Sequence, residues 1–210
     1  MLPIKSGPAT AHAATTLWTR SYKTRTKQTL IMVLSQSKIK RLIKSKKLVE
    51  GLGKRDLENP EGAGLDLRLG ELFKIKGETF LGVETRDTVD HKSLAKYDLK
   101  KSTKVTIKPG EFYLMQTVEK VNLPDNIVCI PYPRSTLLRS GIWLLSTQIA
   151  PGYSGLLTFG LKNMGNSKFK VEMGARVAHI IFYEIAGKGV KYRGQWQGGR
   201  VTTKKEEVQV

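Results

Sequence analysis

The sequence predicts a mainly β fold, in which short strands form a closed or nearly closed barrel after a single helix. Short apolar runs, several with the alternation of half-buried strands, recur between residues 65 and 184. Gly, Pro and Asn separate nearly all of these runs, as at Pro109-Gly110. Many short strands with frequent turns are typical of closed β architectures. A length of 210 residues with 40% hydrophobic content suits one domain.

Residues 1–31 are predicted to be an N-terminal extension of that domain. They are rich in Ser, Thr, Ala, Lys and Arg, contain no acidic residue and show no sustained apolar periodicity. Three interpretations fit: an organellar targeting segment, a disordered arm that binds nucleic acid, or extra residues upstream of a start at Met32. We favour the third, because a well-formed element begins directly after Met32.

A short amphipathic helix is predicted from Ser35 to about Lys47. Ser35 suits the N-cap position, since its hydroxyl can accept a hydrogen bond from a backbone N–H of the first turn. Ile39, Leu42 and Ile43 recur at helical spacing with lysines between them. The apolar stripe is expected to pack on the barrel.

The first predicted strand follows this helix and a glycine-rich stretch. Leu65, Leu67 and Leu69 alternate with polar residues, as on a half-buried strand, and Gly70 is expected to end it. The other predicted strands share this apolar character and lie at residues 73–75, 105–107, 112–118, 126–132, 156–161, 169–171 and 178–184. The polar segment 85–103 is predicted to be a long excursion. The domain is expected to span residues 32–200, with residues 201–210 as a C-terminal tail.

The formal net charge of +18 is unevenly distributed along the chain. Residues 1–49 contain 11 Lys or Arg and no acid, which leaves 25 basic and 18 acidic residues, a net +7, for the rest. A body with this charge attracts a triphosphate but does not by itself demand DNA or RNA. Nucleic acid is kept as an alternative partner through the basic N-terminal arm.

The cysteine, histidine and apolar content argue against several classes of protein. The single cysteine, Cys129, sits in an apolar run, which permits no disulfide framework and indicates a reducing compartment. Three widely spaced histidines argue against a zinc centre, including that of zinc-dependent cytidine deaminases. No apolar stretch has the length needed to cross a bilayer, so no membrane partner is predicted. A cytoplasmic location is expected, or an organellar one if residues 1–31 are a targeting segment.

Residues 133–142 form the most informative stretch of the chain. Pro133 can begin a helix that Gly141 ends two turns later, and Ser135 and Arg139 then share one face. A hydroxyl and a forked guanidinium directed at the same space suit a phosphate or a held water. An ordinary capped surface helix is the alternative interpretation.

Two turn-rich segments are further candidates for ligand contact. Residues 146–155 are typical of a β-hairpin, whose free backbone groups can bind a base edge and whose Tyr153 can pack on a deoxyribose. Residues 192–200 combine glycines, arginines and aromatics, which suits phosphates. The alternatives are a loop in which Tyr153 packs on its neighbours, and a mobile glycine-rich tail or an RNA contact.

Taken in order, these segments resemble the dCTP deaminase and dUTPase superfamily from about Leu34 to Gly199. The deaminase branch is the nearer relative, because of the opening helix with its first motif and the C-terminal lid. Five blocks carry the likeness in the family's order: residues 34–43, residues 62–70, residues 109–135, Asn163 with residues 174–179, and residues 192–199.

The resemblance implies a distorted β-barrel of the dUTPase-like, β-clip type that forms a homotrimer with sites between subunits. It implies dCTP or dUTP as the ligand, Mg²⁺ bound through the nucleotide phosphates, and no catalytic metal. Ser135 and Arg139 match the family's pair that positions phosphate and water. The implied nucleotide-binding residues are Arg134, Ser135, Thr136, Arg139, Gln148, Ile149, Tyr153, Tyr192, Arg193 and Gln197.

The match departs from the family at its chemistry. In the deaminases a glutamate on the strand after the hairpin shuttles protons while water attacks C4 of cytosine, and Gly160 matches that position. The aspartate that orients water in the dUTPases, and that most deaminases keep, is matched by Ala150. Neither replacement can carry a proton. The expected function is therefore binding of dCTP or dUTP, in pyrimidine deoxynucleotide metabolism, by a protein whose catalytic acids are replaced.

Two other functions stay open on the sequence alone. An acid from another subunit could fill the gap and make the chain an active dCTP deaminase or dUTP diphosphatase. The chain could instead be a structural or nucleic-acid-associated trimer that keeps only the barrel. Ser135 and Arg139 favour nucleotide binding over the structural role, and the two replaced acids favour binding over catalysis.

Overall fold

The computed structural model describes residues 32–187 and 189–209, so the predicted N-terminal extension lies outside the described residues. The helices there are short: α1 (Gln36–Lys46), α2 (Lys54–Glu58) and α3 (Ser135–Arg139). The strands are β1 (Met32–Val33), β2 (Val49–Glu50), β3 (Gly64–Lys76), β4 (Phe80–Leu81), β5 (Thr85–Asp87), β6 (Asp90–Lys96), β7 (Lys104–Ile107), β8 (Phe112–Asn122), β9 (Ile127–Pro133), β10 (Ile142–Leu145), β11 (Ser154–Asn163), β12 (Phe169–Glu172), β13 (Arg176–Glu184) and β14 (Glu207–Val208).

A nine-stranded sheet dominates the molecule and confirms the predicted mainly β fold. Its main path runs β1-β13-β3-β8-β11-β10, and β2, β6 and β9 pair onto β8, β3 and β13. The named pairings are antiparallel, and several contain β-bulges that let the sheet curl around its core. Two small sheets, β12-β7 and β14-β5-β4, complete the fold.

The core lies on the apolar face of the long central strands. Leu65, Leu67 and Leu69 of β3 are buried, as the alternation predicted, and pack in the same cluster as Ile180 and Phe182 of β13. Each such side chain contributes about 1.5–3 kcal/mol when it leaves water. The cluster fixes the position of β3 and β13 relative to each other.

The predicted N-terminal helix is confirmed as α1. The Ser35 hydroxyl accepts a hydrogen bond from the Lys38 N–H at 3.4 Å, and Ile39 is fully buried. Lys47 follows the last helical residue with φ 51°, and its N–H donates to the Ile43 carbonyl. The helix therefore has a defined cap at each end.

The predicted end of the first long strand at Gly70 is wrong. Gly70 does not end β3, which continues to Lys76 with a register shift between Leu69 and Glu71. A side chain at Gly70 would meet the Thr117 carbonyl oxygen at 2.6 Å, so the glycine permits a bulge there.

The polar segment 85–103 is not a long excursion, because it contains β5 and β6. β6 pairs along β3, and β5 pairs with both β4 and β14. Backbone hydrogen bonds to β3, β4 and β14 stabilise these strands, although their side chains are largely polar.

A buried ion pair joins β3 to β8. The Arg68 backbone N–H and Nε donate to the two oxygens of Glu119 at 2.8 and 2.6 Å, and the Glu119 side chain is 1% exposed. Burial raises the pKa of Glu119, and the hydrogen bonds and charge of Arg68 oppose that rise. The pair keeps a charged group stable inside the sheet.

Replacement of Arg68 by Ala is expected to lower the free energy of unfolding by about 3–5 kcal/mol, because the buried Glu119 carboxylate would lose its counter-charge and keep only the backbone N–H of residue 68 as a partner from β3. Its pKa would rise further, and a raised folded-state pKa means that stability is lost as pH increases through it. The loss should therefore be larger at pH 7 than at pH 5. Urea unfolding of Arg68→Ala at both pH values tests this, with Lys120→Ala, which removes an exposed ion pair to Glu50, as the control.

Candidate functional site

The predicted hairpin is formed by β10, β11 and the loop between them. The Tyr153 N–H donates to the Ala150 carbonyl at 3.2 Å, and Gly152 has φ 74°, which suits a type II turn. Ile149 exchanges two backbone hydrogen bonds with Cys129 of β9, at 2.9 and 3.2 Å. The loop is thereby fastened to the main sheet.

Tyr153 packs inside the hairpin. Its side chain is buried, its hydroxyl donates to the Leu156 carbonyl at 2.6 Å, and its ring meets the Tyr192 ring edge-to-face at 5.6 Å between centroids. Burial raises the pKa of Tyr153 to about 12. The phenol is therefore neutral at physiological pH and serves as a packing surface rather than as a general base.

Residues 192–199, called the lid segment here, lie on the hairpin. The Gln197 side chain accepts from the Ser154 N–H and donates to the Gly152 carbonyl, both at 3.1 Å. The Gly198 N–H donates to the Ser154 carbonyl at 2.8 Å. These contacts give the C-terminal glycine-rich stretch a defined place at the mouth of the hairpin.

A cavity of about 310 Å³ lies between the hairpin and the lid segment. Four of the predicted binding residues line it: Gln148, Ile149, Tyr153 and Tyr192. The other lining residues come from the hairpin loop, β11 and the chain near the lid: Thr147, Ala150, Leu157, Thr158, Phe159, Trp196, Arg200 and Val201. Arg200 alone among these lining residues is charged at neutral pH, and none carries a carboxylate or an imidazole.

The predicted binding residues on and next to α3 do not line this cavity. Arg134 and Ser135 line a separate depression that shares no residue with the hairpin cavity, and Thr136 and Arg139 are exposed on the helix surface. Arg193 is exposed on the lid segment. One chain by itself therefore does not bring the hairpin residues and the α3 residues together.

Arg134 takes part in an internal cluster of charges around Asp66. The Asp66 carboxylate, which is almost fully buried, contacts the guanidiniums of Arg134 and Arg176, the latter at 2.7 Å, and His179 Nδ1 at 2.9 Å. Burial, followed by the charge of Arg134, lowers the pKa of His179. The imidazole is therefore neutral at physiological pH and can donate its Nδ1–H to Asp66.

The chain after the lid segment forms a set of contacts that sequence reasoning missed. Residues 200–209 are called the C-terminal clamp here. Arg86 and Arg200 flank the Trp196 indole, with guanidinium carbons 4.8 and 5.6 Å from the ring centroid. The Glu207 carboxylate lies 3.5 Å from Arg86 and 2.5 Å from Arg200 and offsets their charges.

Two buried threonines anchor the same clamp to the β5–β6 region. The Thr203 hydroxyl accepts from the Thr88 N–H at 2.8 Å and donates to Asp87 at 2.6 Å. The Thr202 hydroxyl lies 2.7 Å from His91 Nδ1. Because the clamp is packed in this way, Arg200 and Val201 form part of the cavity wall instead of a tail. In the sequence, only Trp196, an aromatic residue among the glycines of the lid segment, indicated these contacts.

The described part of the chain has neither a cluster of metal-ligating side chains nor a membrane-spanning helix. Residues 32–187 and 189–209 contain no group of three His, Cys, Asp or Glu placed to hold a metal ion. No helix among them is long and apolar enough to cross a membrane.

Comparison with known proteins gives consistent matches. A family model described as dCTP deaminase-like matches residues 33–185. A dCTP deaminase of Pyrobaculum calidifontis is 31% identical over 175 residues, which cover 82% of this chain and 95% of that protein. A dUMP-forming dCTP deaminase of Persephonella marina is 30% identical over 174 residues, with the same coverage of both chains.

Among solved structures, the fold is similar to that of 2'-deoxycytidine 5'-triphosphate deaminase from Agrobacterium tumefaciens. The TM-score is 0.56 at 19% sequence identity, and the match covers 73% of this chain and 48% of that one. This chain therefore spans about half the length of the solved relative, and the likeness bears on the fold alone.

Replacement of Glu207 by Gln is expected to loosen the lid segment, because Arg86 and Arg200 would lose the anion between them. Opening of residues 192–199 should become easier by about 1–3 kcal/mol, roughly the cost of leaving charged hydrogen-bonding groups unpaired. Trypsin cleavage after the exposed Arg193 reports on this opening and should become faster. Lys204→Gln, a change at an exposed residue of the C-terminal clamp, should leave the cleavage rate unchanged.

Proposed function

The chain belongs to the dCTP deaminase-like family, and from this premise we propose that it binds a pyrimidine deoxynucleoside triphosphate in the hairpin cavity without efficient turnover. The relatives reported above are named dCTP deaminases, which supports a pyrimidine deoxynucleoside triphosphate as the ligand class. The proposal that turnover is inefficient rests on the residues that line the cavity.

Ala150 and Gly160 occupy the two positions at which the family resemblance implies acidic residues. Ala150 lines the cavity, and Gly160 follows Thr158 by two residues on β11. Deamination needs a group that moves protons as water attacks C4 and ammonia leaves. Release of pyrophosphate needs a base that orients the attacking water. Loss of a general acid or base typically lowers the rate by about 10²–10⁴.

The binding half of the proposal is supported by what the cavity retains. Thr147, Gln148 and Thr158 offer polar side chains, and the neutral Tyr153 offers an aromatic surface. The lid segment covers the mouth through Gln197 and Gly198. A mostly apolar cavity with a few convergent polar groups is typical of small-molecule sites.

We propose a homotrimer, in which α3 of a neighbouring copy supplies Ser135 and Arg139 to the triphosphate, as the family likeness implies. In one chain these two residues are exposed and lie apart from the cavity, which fits a contribution to another subunit. Mg²⁺ would arrive bound to the nucleotide, since phosphate oxygens are the hard ligands that it prefers.

Wild-type protein is expected to bind dCTP and dUTP saturably in calorimetry and to convert neither at a rate far above background. Uracil formation and pyrophosphate release are to be followed separately. Ala150→Asp places a carboxylate in the open cavity and should raise pyrophosphate release from dUTP by at least about tenfold. Ala150→Asn, which has the same size but no base, is the control. Robust wild-type turnover would overturn the proposal of a non-catalytic site.

Arg139→Ala is expected to weaken triphosphate binding by about tenfold or more, because a guanidinium makes directed, charge-assisted contacts to phosphate. Lys46→Ala, at the exposed end of α1, should change the affinity by less than about twofold. Calorimetry at low and high salt checks both variants. Equal losses that disappear together in salt would instead indicate diffuse electrostatic attraction.

A further inference from the structure

Gly160 lies at a point where β11 has no room for a side chain. It pairs with Leu145 of β10 and with Leu114 of β8. A Cβ atom at position 160 would lie 2.8 and 2.9 Å from two ring carbons of Phe112 and 3.2 Å from the Cβ of Leu145. Carbon atoms in favourable contact are about 3.5–4.0 Å apart, so the ring occupies the space of the missing side chain.

Backbone conformation does not account for this glycine. Gly160 is paired on both sides within an antiparallel sheet, and it is absent from the glycines with positive φ. An ordinary residue could adopt its dihedral angles. The steric contact with Phe112 is therefore the constraint that excludes a side chain there.

Gly160 is two residues along β11 from the cavity wall, although neither Gly160 nor Phe112 lines the cavity. Thr158, which lines the cavity, is two residues before Gly160, so both face the same side of the sheet. Phe112 belongs to β8, opposite Lys162, and its ring reaches along the sheet to Gly160. A longer side chain at position 160 would project toward the cavity edge if the Phe112 ring were absent.

We infer that Phe112 is a specificity-determining residue of this site: its ring takes the volume that a carboxylate at position 160 would need. The inference rests on the proposed function where it takes position 160 as the site of the family's acid. The steric contact between Phe112 and position 160 does not depend on that function. An apolar ring thereby occupies the space that a proton-transferring side chain at position 160 would need. Restoring the acid alone therefore does not restore the family's site.

A double-mutant cycle in the absence of nucleotide tests the steric part. Gly160→Ala should lower the Tm by about 3–6 °C in the wild-type background, the range expected for an overpacked contact in a domain of this size. In the Phe112→Ala background, the same change should shift the Tm by less than about 1 °C, or raise it, because Ala restricts the unfolded chain more than Gly. Equal shifts in both backgrounds would overturn the inference.

Nucleotide preference tests the functional part with a measurement that packing alone does not change. In Phe112→Ala/Gly160→Glu, a carboxylate that reaches the cavity should accept from the 4-amino group of cytosine and repel the 4-oxygen of uracil. The dCTP-to-dUTP affinity ratio should then rise by about tenfold over that of Phe112→Ala/Gly160→Gln. Gly160→Glu with Phe112 present should leave the ratio unchanged, and an equal rise in that single variant would sink the inference. Failure of every variant and of wild type to bind nucleotide, with the Tm coupling intact, would instead count against the proposed function.

Discussion

The close approach of two backbone segments at Gly155 and Gly199 is the constraint on which the cavity depends. A Cβ atom at Gly155 would lie 2.5 Å from the Gly199 nitrogen, and one at Gly199 would lie 2.9 Å from the Leu156 nitrogen. Gly199 also has φ 86°, which glycine adopts without strain. The lid segment can therefore lie directly on β11, where the Gln116 amide bonds to the Gly199 carbonyl. Bulkier residues at these positions would lift the lid segment and expose the cavity.

In the proposed function, recognition and proton transfer depend on different residues. The lid segment, Gln148 and Tyr153 form a polar and aromatic enclosure that suits a nucleoside. The residues that line the cavity carry no carboxylate and no imidazole. Burial raises the pKa of the Tyr153 phenol to about 12, and the Glu119 carboxylate is paired with Arg68 inside the sheet. A fold can keep its binding geometry while losing its chemistry, because the two depend on different residues.

Local sequence signals predicted α1 and the hairpin correctly, because caps and turns depend on a few adjacent residues. The helix predicted between Pro133 and Gly141 is shorter than expected: Pro133 ends β9 instead of beginning the helix, and α3 covers only Ser135–Arg139. The strands β5 and β6 were missed, since their polar residues are held by backbone pairing to β14 and β3. The roles of Arg200 and Val201 were missed for the same reason: distant contacts of the clamp bring them to the cavity. Asp66 was expected on a polar strand face, but arginines far away in the sequence enclose it. Periodicity cannot reveal such contacts.

Native mass spectrometry after incubation with dCTP and Mg²⁺ tests the central claim most directly, because it reports assembly, occupancy and the chemical state of the ligand together. The account predicts a species with the mass of three chains that carries up to three intact dCTP molecules after prolonged incubation. A trimer that carries dUTP or dUMP would contradict it, since the nucleotide would have been turned over. A monomer without nucleotide would contradict both the assembly and the binding site.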